Sequence, residues 1–156
     1  MRHFLSMWLK RYGPMIAMMM MMFIMSSDLG SADNTRPILT SIIRKWFPAL
    51  ASQLSLAQID VLDFVIRKCT HIAEYAVLAL LTARAFAITS SSPFKTRFIA
   101  AFTAAVYALS DELHQSFVPS RGAAYMDVLW DSLGASLGSL AIYMVQLRQR
   151  TKSLRP

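Results

Sequence analysis

The sequence predicts an all-α protein, a four-helix transmembrane bundle with an amphipathic interfacial segment between its first two helices. Composition favours this fold class, because 55% of the 156 residues are hydrophobic and only 16% are charged, an unusual balance for a soluble protein. The apolar residues are also clustered, in stretches that approach the roughly 20 residues needed to cross a bilayer. These stretches lie at about residues 12–27, 68–89, 98–110 and 127–147 of a chain long enough for one domain, 1–156.

The first stretch is short and uncharged, and it contains the methionine run 18–22. Three basic residues, Arg2, Lys10 and Arg11, precede it, and small residues follow it. This layout is also that of a secretory signal peptide. We expect an uncleaved signal anchor, because the first helix can then pack with the other three; a cleaved signal peptide is the alternative.

The segment between the first and second stretches carries two amphipathic patterns. Apolar residues recur at helical spacing from Ile38 to Phe47, with Arg44 and Lys45 on the other side, as in a helix that lies in the membrane interface. Pro48 should end this helix. The second pattern covers residues 54–65 and should run directly into the second transmembrane helix.

The distribution of basic residues predicts the orientation. Alternate loops lie on the same side of a membrane, and Lys and Arg are enriched on the cytoplasmic side. With both termini inside, ten of the sixteen basic residues are cytoplasmic, at the N-terminus, in the loop around Ser90-Ser91-Ser92-Pro93 and in the tail that ends with Arg150, Lys152 and Arg155. The sequence therefore predicts a multi-pass protein of the inner (cytoplasmic) membrane with cytoplasmic N- and C-termini.

Charge and cysteine content exclude other classes of protein. The net charge of +7 is explained by the flanks of the spans, and without aromatic interleaving or a nucleic-acid motif it does not indicate nucleic-acid binding. The single cysteine, Cys69, excludes an intramolecular disulfide and a zinc ribbon.

The predicted topology brings the ionisable residues of the last three helices to the outer face. Lys68, His71 and Tyr75 share one helical face, whereas Asp127 and Asp131 begin the last helix, followed by the small-residue stripe Gly134 and Gly138. The candidate catalytic residues are His71, Glu74, Asp111, Glu112 and His114. The candidate ligand-binding residues are Lys68, Tyr75, Gln115, Arg121, Asp127 and Asp131.

The motif residues of this region resemble those of the VanZ-like family of small membrane proteins. The likeness covers residues 66–138 and rests on the pattern Arg67-Lys68-x-x-His71-x-x-Glu74-Tyr75, Ser110-Asp111-Glu112-x-His114-Gln115-x-Phe117-x-Pro119-x-Arg121 and Asp127-x-x-x-Asp131-x-x-Gly134-x-x-x-Gly138. The resemblance implies an association with glycopeptide (teicoplanin) resistance and with the cell envelope. It does not imply a defined reaction.

The leading functional hypothesis is that the polar cluster binds or modifies an anionic lipid or a lipid-linked envelope precursor. Lys68 and Arg121 would hold phosphate, and a histidine beside a carboxylate would supply acid–base chemistry. Whether the protein is an enzyme stays open at this point. We expect no nucleic-acid partner, and a homo-oligomer is compatible with the sequence.

Two alternatives stay open. A structural lock would pair Lys68 with Asp111, Glu74 with His114 and Arg121 with Asp127, with no ligand. A metal site would use His71-x-x-Glu74 and Glu112-x-His114, but this spacing does not match that of zinc helices, so the sequence predicts no metal and no cofactor.

Overall fold

The described residues of the chain form helices and short connections. In the computed structural model these residues are 2–87, 92–121 and 125–153. The α-helices are α1 (Arg2–Met25), α2 (Ala32–Trp46), α3 (Pro48–Ala51), α4 (Leu56–Ala87), α5 (Pro93–Gln115) and α6 (Tyr125–Ser153), and a single 3-10 turn, Asp28–Gly30, follows α1. The all-α class is confirmed. Ser90 and Ser91 of the predicted turn, the predicted helix end at Thr89, and Arg155 lie outside the described residues.

The long helices extend beyond the apolar stretches that predicted them. The predicted segment 98–110 is the centre of α5, and the amphipathic segment 54–65 continues without a break into the second apolar stretch as α4. That continuity was predicted. Charged residues at both ends of α5 remain helical because backbone hydrogen bonds continue once a helix is established. Among the described residues, one helical segment, Met126–Arg148, is long and apolar enough to be a candidate membrane span.

The predicted break at Pro48 is confirmed. Helix α2 ends at Trp46, and Phe47 leaves the helical conformation with φ −135° and ψ 59°. A proline disfavours the helical conformation of the residue before it, which explains this break. Pro48 itself begins α3, a position where its missing N–H is not needed.

Helices α4 and α6 run parallel, and α5 runs against them. Lys68 contacts Asp127, and eight residues later along α4 Ala76 lies against Gly138. On α5 the order is reversed, because Tyr75 packs near Tyr107 whereas His71, further back along α4, lies near Asp111. The chain directions predicted for these helices are therefore those of the structure.

Glycines allow α4 and α6 to pack backbone against backbone. A Cβ atom at Gly134 would lie 2.2 Å from the carbonyl oxygen of Ile72, and one at Gly138 would lie 2.3 Å from that of Ala76. Both distances are far below van der Waals contact. The predicted close approach at this small-residue stripe is confirmed, and it fixes the register of α6 on α4.

Helix α1 packs on the outside of this three-helix core. The hydroxyl of Tyr107 donates a hydrogen bond to the carbonyl oxygen of Met19 at 2.5 Å, and Arg11 Nε donates to the carbonyl oxygen of Ala85 at 2.5 Å. Met22 belongs to the buried core, whereas Met20 is 61% exposed. The methionine run thus has one packed and one exposed face, as expected for flexible apolar filler.

Candidate functional site

Side chains from three helices converge near one end of the bundle. His71 of α4, Asp111 of α5 and Asp131 of α6 each place one nitrogen or oxygen atom within 4.8 Å of the others. Asp111 is 4% exposed and Asp131 is 2% exposed. The parallel register of α4 and α6 brings His71 to Asp131, and the opposite direction of α5 adds Asp111.

The facing polar atoms of this group are incompletely satisfied. His71 Nδ1 lies 3.3 Å from Asp131 Oδ1, yet neither atom makes a hydrogen bond, and Asp111 Oδ1 makes none either. A buried polar atom without a hydrogen bond costs about 1–3 kcal/mol. Such atoms therefore need a structural or functional explanation.

Gln115 holds the Asp111 carboxylate in place. Its side-chain amide donates to Asp111 Oδ2 at 3.0 Å and to the hydroxyl of Ser26 at 2.7 Å. Gln115 is 3% exposed, so the bridge is shielded from water. It connects the end of α5 to the end of α1 and leaves the second oxygen of Asp111 unbonded.

Arg121 closes the same end of the bundle from the loop after α5. Its guanidinium donates to the carbonyl oxygens of Met25 and Ser27, where the negative end of the α1 dipole favours a cation. A Cβ atom at Gly30 would lie 2.1 Å from the backbone carbonyl oxygen of Met25, so glycine is required there. Burial lowers the pKa of Arg121 below its usual value, and the nearby charge of Arg67 lowers it further.

The ion pairs differ from those predicted for a structural lock. Lys68 pairs with Asp127 instead of Asp111, because the register of α6 places Asp127, in the first turn of α6, beside Lys68. Arg121 donates to backbone carbonyls instead of pairing with Asp127. The ring of His114 stacks on Phe23 with a centroid distance of 4.1 Å instead of pairing with Glu74. These three predicted pairs are wrong.

A cavity of about 300 Å³ opens between α2 and this end of the bundle. One wall is the apolar face of α2, with Ile38, Leu39 and Ile42. The polar lining includes Arg67, His71, Glu74, Asp111 and Arg121. The cavity therefore combines an apolar wall with a polar floor, which is formed by these charged side chains.

The structure divides the predicted site residues into two sets. The cavity lining includes His71, Glu74, Asp111 and Arg121. Asp131 is not part of the lining but lies 3.3 Å from His71. The other predicted residues do not line it: Lys68, Tyr75, Glu112, His114, Gln115 and Asp127. Tyr75 is fully buried, and Glu112 and His114 do not belong to the convergent group, so the metal-ligand set suggested by their spacing is not assembled.

Arg67 and Asp63 are cavity residues that the site prediction missed. Arg67 Nε donates to Asp63 Oδ2 at 3.0 Å, and the Thr35 hydroxyl donates to Asp63 Oδ1 at 2.8 Å. The i,i+4 spacing of Asp63 and Arg67 was a usable signal. It did not reveal that α2 would fold back over this face of α4.

Comparison with known proteins assigns a family. The chain matches the VanZ/LLP1 family model over residues 13–146, which is most of its length. No curated protein and no solved structure is significantly similar to it. The match includes every residue of the motif described above, and the chain therefore belongs to the VanZ-like family.

Proposed function

We propose that the protein is a multi-pass membrane protein whose outward-facing cavity binds or modifies an anionic lipid or a lipid-linked envelope precursor. In this proposal α1, α4, α5 and α6 span the inner membrane, both termini are cytoplasmic, and α2 lies in the outer interface over the cavity.

The outer surface of the bundle supports insertion into a membrane. On α5 a continuous exposed stripe consists of Phe98, Phe102, Val106, Leu109 and Leu113, each at least 50% exposed. The stripe runs about 22 Å along the helix axis at 1.5 Å per residue. An apolar surface of this length on a soluble monomer would be an aggregation liability.

The proposed orientation is supported by the end of the bundle opposite the cavity. Arg11 contacts the backbone of Ala85 near the end of α4, and Arg97 of α5 lies over the ring of Tyr143 of α6 at 5.5 Å. Exposed Arg84 lies on the same last turns of α4. A basic end of this kind is typical of the cytoplasmic side.

The amphiphilic cavity is the observation that carries the proposed ligand class. The apolar wall from α2 suits an acyl or polyprenyl chain, and the polar floor suits a headgroup. Arg67 and Arg121 are close enough for their positive charges to repel each other, and the carboxylates of Asp111, Glu74 and Asp127 offset part of this repulsion at Arg121. An anion between them would relieve this repulsion, and phosphate matches the fork of a guanidinium.

The same floor can support acid–base chemistry. The side chain of His71 lines the cavity while its Nδ1 faces Asp131. At 3.3 Å and without a hydrogen bond, the Asp131 carboxylate favours the protonated imidazole through its charge. Glu74 and Asp111 add carboxylates to the lining, so modification of a bound lipid is part of the proposal.

A structural role for part of the cluster is the second candidate. The Lys68–Asp127 and Arg67–Asp63 pairs join groups that would otherwise be uncompensated, and Lys68–Asp127 connects two helices. Loss of the ligand site would leave the Lys68–Asp127 pair intact, whereas Arg67 belongs both to the pair with Asp63 and to the cavity lining. The two roles therefore make different predictions for different residues.

Native mass spectrometry of the full chain in a mild detergent tests the proposed function. We expect a co-purified lipid or polyprenyl phosphate that is retained by the wild type and by the control Arg97→Gln. In Arg67→Gln the amount of bound lipid should fall at least about tenfold, which corresponds to a loss of about 1.4 kcal/mol or more of binding free energy. Thermal melting of each variant measures folding separately.

Two results would overturn the proposal. One is the absence of any bound anionic lipid from the folded wild type, after purification and after addition of anionic phospholipid. The other is equal retention by the wild type and Arg67→Gln, which would assign the lipid to the outer hydrophobic surface.

A further inference from the structure

We propose that His71, Asp111 and Asp131 form a binding site for one divalent transition-metal ion at the polar floor of the cavity. The site takes one ligand from each of α4, α5 and α6. It differs from the ligand set that sequence spacing suggested, because only His71 is shared.

The geometry of the group suits a small cation. Ligands that lie about 2.0–2.2 Å from a tetrahedral zinc ion are roughly 3.4 Å from one another. His71 Nδ1 and Asp131 Oδ1 are already 3.3 Å apart, and the atom from Asp111 lies within 4.8 Å of both. A shift of the Asp111 side chain by up to about 1.4 Å would bring it to that spacing and complete three-ligand coordination.

The hydrogen bonding of the group independently indicates a missing ligand. The atoms His71 Nδ1, Asp111 Oδ1 and Asp131 Oδ1 are all buried and without a hydrogen bond. These are lone-pair-bearing atoms of the kinds that coordinate metal ions. Asp111 and Asp131 are more than nine-tenths buried, so bulk water does not compensate them.

The charge of the group also favours a cation. In the described part of the chain, no lysine or arginine forms an ion pair with Asp111 or Asp131. Lys68 is paired with Asp127, and Arg67 with Asp63. Asp131 faces one basic group, His71, at 3.3 Å, and one imidazolium can balance at most one of the two charges. Buried carboxylates with too little counter-charge are expensive, and a divalent ion would balance both of them.

Gln115 provides the support that metal ligands usually have. By donating to Asp111 Oδ2 it leaves Oδ1 as the oxygen directed at the ion, and Ser26 holds the amide in turn. Hydrogen bonds of this kind orient the ligands of metal sites and affect affinity strongly.

The donor set indicates the class of metal. One imidazole and two carboxylates suit Zn²⁺ or Mn²⁺ better than Ca²⁺ or Mg²⁺, which prefer all-oxygen ligands. Because His71 and Asp111 line the cavity, the ion would have an open coordination position there. If the proposed function is correct, this position would take an oxygen of the anionic headgroup.

Metal titration of the chelator-treated full chain in detergent tests the site. We expect saturable binding of one equivalent of Zn²⁺ or Mn²⁺ by calorimetry, and a rise in melting temperature on binding. His71→Gln and Asp111→Asn should each weaken the affinity at least about tenfold. The matched control His114→Gln should bind like the wild type, since His114 is outside the group.

Several outcomes would contradict the metal site. Wild-type protein that is folded but binds neither ion at one equivalent would overturn it, as would unchanged binding in a folded His71→Gln, Asp111→Asn double variant. Loss of binding in His114→Gln alone would move the ion to a different ligand set and would also count against it.

Lipid retention with and without chelator separates this inference from the proposed function. Lipid bound equally in both conditions, with no metal in the wild type, overturns the metal site alone. Metal bound at one equivalent with no anionic lipid overturns the proposed function and leaves the metal site supported.

Discussion

The buried residues at the two ends of the three-helix core differ in polarity. Towards the α4–α5 connection the core consists largely of alanine, with Ala79, Ala83, Ala100 and Ala104 all at most 1% exposed. At the cavity end the buried side chains are polar, and several of their atoms lack hydrogen bonds. The alanine-rich end allows the helices to pack closely. The cavity end contains buried polar side chains that close packing does not require.

This difference predicts where substitutions should affect stability and where they should affect binding. Changes in the small-residue interface should unfold the protein, because backbone contacts cannot adjust. Changes in the unsatisfied polar group should leave the fold intact, because those atoms contribute little to it.

Gly134→Ala should cause the largest loss of stability, about 3 kcal/mol or more. The new Cβ would lie 2.2 Å from the carbonyl oxygen of Ile72, so α4 and α6 must separate. Thermal melting in detergent measures the loss. The matched control is Gly13→Ala, whose Cβ meets only Leu9 side-chain atoms at 3.7 Å and which should gain up to about 1 kcal/mol of helix propensity. Equal effects of both changes would refute the packed interface.

Lys68→Met should destabilise the protein by about 1–2 kcal/mol by leaving Asp127 without its cation. The effect is smaller than for a fully buried pair because 21% of the Lys68 side chain is exposed. The double variant Lys68→Met, Asp127→Leu should recover most of the loss, as a thermodynamic cycle of melting experiments will show. Simple additivity of the two single effects would argue against a direct pair.

Asp111→Asn should change stability by less than about 0.5 kcal/mol and reduce lipid retention, because it removes a ligand of the metal ion through which the headgroup would be held. The asparagine oxygen can accept from Gln115, and removal of a buried charge offsets any lost contact. Melting temperature and native mass spectrometry, measured on the same preparation, test both parts. A large drop in stability would instead favour the structural role for this residue.

His114→Gln should have the smallest effect on lipid retention. Its ring stacks on Phe23 and does not line the cavity, so lipid retention should match the wild type, in contrast to His71→Gln. Stacking of this kind contributes about 0.5–1.5 kcal/mol, which sets the expected loss of stability. A selective loss of lipid in His114→Gln would show that the site extends beyond the cavity.

Much of the fold follows from local patterns. Apolar periodicity predicts α2 and α4, and Pro48 predicts the break at Phe47. Clustering of ionisable residues at alternating helix ends predicts that the polar residues of the last three helices gather at one end of the bundle, and His71, Asp111 and Asp131 are among them. The predicted segment 98–110 is shorter than α5 at both ends. Hydropathy shows how far the apolar residues extend, but it does not show where the backbone hydrogen bonds of the helix end.

The partners within the polar cluster could not be predicted in this way. Neighbouring positions such as Arg67 and Lys68 are chemically similar, yet one lines the cavity and the other pairs with Asp127. Successive residues of a helix are rotated by about 100° around its axis, so these two side chains lie on different faces of α4. The position of α2 over the cavity was equally inaccessible, since an amphipathic face does not specify what it covers.

The sequence by itself determined the helical class, the family motif, the glycine stripe and the end of the molecule at which the charged residues gather. The tertiary structure alone decided which of those charges touch, that α2 forms the apolar wall, and that His71, Asp111 and Asp131 share one unsatisfied space. The physical reason is that hydropathy and turn chemistry act locally, whereas side-chain pairing depends on the register of α6 on α4, which Gly134 and Gly138 fix only when the two backbones meet.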